Sequence, residues 1–142
     1  MATVELLLSA LPVHVRTARL VGVAAARRAG LSDELVDELR LALGEACGRA
    51  VALHAAHAPD VPVKIVLRDD PTGLTVEVTD VGPAAEPVGD VGEVLEDHFA
   101  DDSVDPQVAL AVLSGLVDEV TITPSGSGTV VAMRWPLPPA AA

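Results

Sequence analysis

Hydrophobic and polar positions change period several times along the chain, and each change marks an element. Residues 2–8, ATVELLL, read as a first strand. Pro12 then opens a helix, since proline is tolerated in a first helical turn. The run VRTARLVGVAAARRAG carries that helix to about Gly30, a natural stop. Ser32 caps a second helix, and the acids from Glu34 to Glu38 sit near its positive end. In this helix Leu35, Leu39, Ala42 or Leu43, Ala46, Ala50 and Leu53 recur every three or four residues, forming one apolar stripe. The pattern runs to roughly Ala56, and its length makes this the central helix.

Pro59 and Pro62 break the chain. VKIVLRDD and GLTVEVTD follow as two strands, with DPTG as the hairpin turn between them. Residues 83–105 change character: they carry eight acids and no Lys or Arg, with early prolines and glycines. This reads as a mobile loop holding one short helical turn. After Pro106, PQVALAVLSGLVDE returns to helical spacing. VTIT and TVVAMRWPL close the chain as two strands around PSGSG, and a disordered tail is expected over 138–142.

Strands joined by tight turns must run antiparallel. Three helices and about five strands in this order predict a two-layer α/β sandwich, with a mixed, mostly antiparallel sheet and helices on one face. One domain is expected over 1–137, consistent with a chain of 142 residues.

Composition narrows the function. The formal net charge is −12, so a phosphate-backbone partner is disfavoured and no direct nucleic-acid binding is expected. An acidic surface favours basic protein partners. With one Phe, one Trp and no Tyr, the core must be built from Ala, Val and Leu. A single cysteine, Cys47, excludes an internal disulfide and reads as a small core residue. The opening MATVELLLSALPVHVR lacks the basic flank and apolar core of a signal peptide. No apolar run is long enough to span a membrane. The expected location is cytoplasmic.

Candidate chemistry centres on GEACGRAVALH, residues 44–54. Glu45 lies one helical turn before Arg49. This spacing suits a surface ion pair worth about 0.3 kcal/mol, or a general base facing a cleft. Asp80 ends a strand and is followed by Gly82. There a carboxylate can accept a hydrogen bond from an exocyclic amine, or simply close a turn. His54 and His57 have no third ligand at zinc spacing, so no metal site is expected from them. Trp135 is expected to pack on the sheet. Arg16, Arg19, Arg27 and Arg28 make the first helix basic on an acidic protein. Phe99, in the acidic stretch, reads as a local anchor or a partner contact.

Taken together, LRLALGEACGRAV, VEVTDVGP and LAVLSGLVDEVTITPSGSGTVVAMRWPL resemble the anti-sigma regulatory factors of the serine-protein-kinase type. These form a branch of the ATPase superfamily shared by histidine kinases and gyrase B (the GHKL, or Bergerat-type, fold). The likeness covers residues 3–137, and the opening layout resembles actinobacterial members. It implies a fold with a nucleotide site, Glu45 as the general base, Asp80 and Gly82 toward adenine, and Gly128 and Thr129 as the last motif. It also implies a protein partner at Arg19, with Arg16 beside it.

The departures from the family pattern are local. The pattern is E-x-x-x-N, with the Asn ligating magnesium, and Arg49 stands at the Asn position. A guanidinium cannot coordinate a cation. A histidine that follows in the family is Leu53 here, and His54 is one step off, pointing about 100° away. Ala84 replaces the second glycine of the first glycine box. Gln107-Val108-Ala109 replaces the second box, although such turns normally bind phosphate through converging amides. The resemblance, so altered, implies a regulator that binds a sigma factor, a STAS-type anti-anti-sigma antagonist, or both. Kinase activity is lost or poor on this reading, no metal is held, and ATP binds at most without its usual magnesium ligand. Arg49 contacting a phosphate directly is the alternative rescue. The competing readings are an active serine kinase acting on its antagonist and a sensor for another small molecule. A homodimer through the edge of the first strand is expected by analogy alone.

Overall fold

The computed structural model describes residues 2–83, 106–126 and 128–138. The elements run β1 (Ala2–Leu8), α1 (His14–Ala29), α2 (Asp33–His57), β2 (Val63–Asp70), β3 (Gly73–Asp80), α3 (Pro106–Leu116), β4 (Glu119–Ser125) and β5 (Gly128–Pro136). The loop expected over 83–105, with its Phe99, lies outside the described residues from 84 onward, as do residues 139–142 of the expected tail.

The helix boundaries have local causes. Gly30, at φ 92°, closes α1 in the left-handed conformation. Its N–H donates to the Arg27 carbonyl, and the N–H of Leu31 donates to that of Ala26. These bonds satisfy carbonyls that the helix end would otherwise orphan. The Ser32 hydroxyl accepts the Leu35 N–H, and Asp33 and Glu34 occupy the first turn of α2. Pro12 sits in the turn before α1, one residue before Val13, which flanks the helix.

Five strands form one sheet in the order β1-β2-β3-β5-β4. Every ladder among the described residues is antiparallel, which corrects the expectation of a mixed sheet. The reason is topological. The α1–α2 hairpin leaves and returns at the same end of the sheet, so Leu8 faces Val63 and β2 runs back along β1. Both β3 and β4 pair antiparallel with β5, so β4 runs in the same direction as β3. The hairpin return, β5, then inserts between them, and the one parallel pair never meets.

The three described helices form one layer. On the inner sheet face stand Ile65 and Leu67 of β2, Val76 and Val78 of β3, and Val131 and Met133 of β5. They share a core with Leu39, Leu43, Ala46 and Ala50 of α2. Each such Val, Leu, Ile or Met side chain contributes about 2 kcal/mol by leaving water. The stripe read from the sequence is therefore the buried face of α2, with Leu35 only half-buried at its start. Trp135 packs on the inner face as expected, and its indole N–H donates to Glu38 Oε1 at 3.2 Å. The outer face is polar, carrying ion pairs between Lys64 and Glu5 and between Arg68 and Glu77. A one-sided antiparallel sheet of this kind confines the interior to the helix side.

Candidate functional site

The helix α2 and the end of β3 meet at one buried contact. Arg49 lies three residues after Ala46 and four before Leu53, on the apolar stripe, so its side chain projects inward. Asp80 continues the inward alternation of Val76 and Val78 to the last position of β3. The Arg49 Nη1 donates to Asp80 Oδ2 at 2.6 Å, and the two residues are only 2% and 1% exposed. Neither charge retains a full hydration shell, so each depends on the other. The contact is single-pronged: Arg49 Nε is buried without a hydrogen-bond partner among the described residues. The reading of Glu45 and Arg49 as a surface pair is thereby corrected. Arg49 occupies the buried face of α2, and its guanidinium is drawn to the strand end.

Several candidates converge here. The second oxygen of Asp80, Oδ1, accepts the Gly82 N–H at 3.0 Å. Asp80 lies directly across the ladder from Thr129, which is also buried. The adjacent Gly128 is there for close approach, because a Cβ at that position would stand 1.8 Å from the Asp80 carbonyl oxygen. At Gly82 a Cβ would come within 2.9 Å of the Leu53 side chain. Asp80, Gly82, Arg49, Gly128 and Thr129 therefore form one cluster. Glu45 is half-buried on α2, one turn before Arg49.

The residue that sequence reasoning undervalued is His54. It is completely buried, and both ring nitrogens are engaged. The Val81 N–H donates to Nε2 at 3.0 Å, which requires Nε2 to be an acceptor. The Nδ1–H therefore donates to the Val61 carbonyl at 2.7 Å. His54 ties the C-terminal end of α2 to the entry of β2 and the exit of β3. The available signal was a histidine beside Leu53 at the foot of the apolar stripe. No group of three potential metal-ligating side chains occurs among the described residues.

The remaining candidates lie elsewhere. Arg16 and Arg19 are exposed on α1. With Leu20, Val23, Arg27 and Arg40 they line a groove of about 290 Å³. Among the described residues, Arg16, Arg19 and Arg27 have no carboxylate partner, whereas Arg28 pairs with Asp69 and Arg40 with Asp37. Arg19 also borders an apolar groove of about 520 Å³ between α1 and α2, floored by Gly44, Gly48 and Val51. Cys47 is buried, as expected of a core residue, and burial pushes its thiol from 9.0 up to about 12. No helix among the described residues is long and apolar enough to cross a membrane.

A helix layer on one face of this sheet, with a carboxylate at the end of β3 facing the central helix, defines the histidine kinase-like ATPase class. The model of the histidine kinase-like ATPase domain matches residues 8–135, and the chain belongs to that family, in its anti-sigma factor and serine-protein kinase branch. It is similar to the serine-protein kinase RsbW of Bacillus velezensis, at 30% identity over 135 residues, covering 92% of this chain and 82% of the relative. It is equally similar to the serine-protein kinase RsbW of Bacillus pumilus, at 30% over 138 residues, with 92% and 83% covered.

An ATPase family implies a nucleotide and its divalent metal, and the donor set at this site does not suit the metal. A metal needs lone pairs, whereas Arg49 offers N–H donors and a fixed positive charge. The orphaned Arg49 Nε–H calls for an acceptor, the opposite of a cation. Both Asp80 oxygens already hold donors from within the chain.

Proposed function

We propose that this chain is an anti-sigma-type regulator that works by binding proteins, capturing a sigma factor and being captured in turn by a STAS-type antagonist. ATP binding and phosphoryl transfer are weak or lost on this reading, and the protein acts in the cytoplasm. The observation that carries it is the buried Arg49–Asp80 pair, which places an internal cation in the cluster where its family would hold a metal nucleotide. The basic groove at Arg16 and Arg19 supports a protein partner. Arginines without a carboxylate partner among the described residues, on a chain of net charge −12, suit an acidic docking segment more than solvent alone. The β1 edge of the sheet is available for a homodimer.

The test has two arms. Affinity capture from the cell extract of the source organism should retrieve a sigma factor or a STAS-domain protein, identified by mass spectrometry. Labelled ATP incubated with the chain and the retrieved antagonist should yield no phosphoprotein above background. Retrieval of neither partner would end the regulator reading.

A second reading is favoured by the names of its relatives, which are serine-protein kinases. In that reading Glu45 is the general base and Asp80 meets adenine. Phosphate transfer that is abolished by Glu45→Ala would establish it in place of the first.

A further inference from the structure

The fit of Arg49 into the cluster goes further than a missing metal ligand. We infer that Arg49 is a built-in occupant of the nucleotide site. Its guanidinium neutralises Asp80 from within, so partner binding runs without nucleotide control. The inference rests on the regulator reading above and deepens it.

Three observations carry it. First, the two oxygens of Asp80 are each engaged by the chain itself: Oδ2 by Arg49 Nη1 at 2.6 Å and Oδ1 by the Gly82 N–H at 3.0 Å. A neutral exocyclic amine arriving at Asp80 would have to compete with a charge-assisted bond already made in a dry setting. Second, the pair is not shaped as an optimal structural ion pair. It is single-pronged, and Arg49 Nε is left unmet among the described residues. A two-pronged arginine–carboxylate pair would be the expected arrangement if stability alone were served. Third, the exit of β3 is already held in place by α2 at three points. Arg49 holds Asp80, the Leu53 side chain fills the space at Gly82, and His54 accepts the Val81 N–H. A ligand shifts a conformational equilibrium only by its differential affinity for the two states. With the strand end fixed from within, nucleotide has little left to order.

The probes are adenosine, ADP and ATP, each at millimolar concentration with and without magnesium, read by calorimetry and thermal shift. The wild-type chain should give neither binding heat nor a shift in Tm. Arg49→Asn frees Asp80 and should bind adenosine at least about tenfold more tightly than wild type. Arg49→Lys keeps a cation for Asp80 and should stay silent. Binding of adenosine or magnesium-ATP by wild type would overturn the inference, as would a folded Arg49→Asn variant with no gain. If that variant does not fold, the wild-type NMR signal of the Arg49 Nε–H decides. It should be unchanged at millimolar magnesium-ATP, and displacement of that signal would sink the idea. Failure of partner capture would remove the regulator reading and leave these titrations standing. Nucleotide binding by wild type would remove the inference and leave capture standing.

Discussion

Arg49 and Asp80 stand thirty-one residues apart in sequence and 2.6 Å apart in space, with both side chains inside the protein. Removing one partner leaves the other charge buried and unpaired. Arg49→Ala is expected to cost about 3–5 kcal/mol of stability, and Asp80→Ala a similar amount. Replacing both by apolar residues of similar volume, as in Arg49→Met with Asp80→Leu, should recover most of that loss, because no charge is then stranded. Urea unfolding midpoints of the two single variants and the double variant give the coupling directly. Additive losses would show that the pair is not a coupled unit.

The two glycines Gly128 and Gly115 separate close approach from mere helix composition. A Cβ at Gly128 would collide with the backbone of Asp80, so Gly128→Ala should cost about 3 kcal/mol or more, or prevent folding. Gly115, in the last turn of α3, has nothing within 4 Å of its added Cβ. Gly115→Ala should therefore be neutral or stabilising by up to about 1 kcal/mol. Thermal unfolding of the pair under one buffer checks both.

Much of the architecture was legible because the chain is punctuated. Pro12, Gly30, Ser32, Pro59 and Pro62 bracket the helices, and the α2 stripe predicted its buried face. The sheet order was not legible. The hairpin of β4 and β5 is local, but the insertion of β5 beside β3 joins strands far apart in sequence, which no local pattern records. At the site, residue identity was legible and direction was not. Spacing paired Arg49 with Glu45, since four residues bring two side chains together on a helix. Yet Arg49 also sits on the stripe between Ala46 and Leu53, and that position drew it inward to Asp80. His54 was read as pointing away from the site. Its actual partners, Val61 and Val81, are loop and strand-end backbone groups that periodicity cannot reveal.

His54 should accordingly behave as a structural tie. His54→Leu conserves bulk but leaves the Val81 N–H and the Val61 carbonyl without their partner. A loss of about 2–3 kcal/mol is expected from two buried polar groups left unmet. Hydrogen exchange at the Val81 amide should accelerate well beyond the global change if the bond to Nε2 is what protects it. Unchanged protection would assign the burial of His54 to packing alone.

Cys47 sets an alkaline limit. Burial raises its thiol from 9.0 to about 12, with the Arg19 charge pulling weakly the other way. The folded state therefore holds this proton more tightly than the unfolded state does. Its contribution is fully present below about pH 9 and is lost as pH rises toward 12, a span worth about 4 kcal/mol. The stability of wild type should fall across that window more steeply than that of Cys47→Ala, which has no thiol to titrate. In the folded protein at pH 8, a thiol reagent should react with Cys47 only at the rate of unfolding. Immediate labelling would mean the side chain is reachable from solvent.

The basic groove on α1 yields the last prediction, which follows from the proposed partner capture. Arg16 and Arg19 have no carboxylate partner among the described residues, so reversing one charge breaks no internal ion pair there. Arg19→Glu should leave the unfolding free energy from urea titration within about 0.5 kcal/mol of wild type. It should weaken association with an acidic docking segment about tenfold to a hundredfold, mostly through desolvated charge contacts. Wild-type affinity should also fall as salt is raised, and the variant should show a flatter salt dependence, since screened attraction is the term it has lost. Leu7→Glu, on the opposite sheet face, serves as the control and should bind as wild type does. If Arg19→Glu binds with unchanged affinity and unchanged salt dependence, the partner docks elsewhere and the arginines are only a solvated helix face.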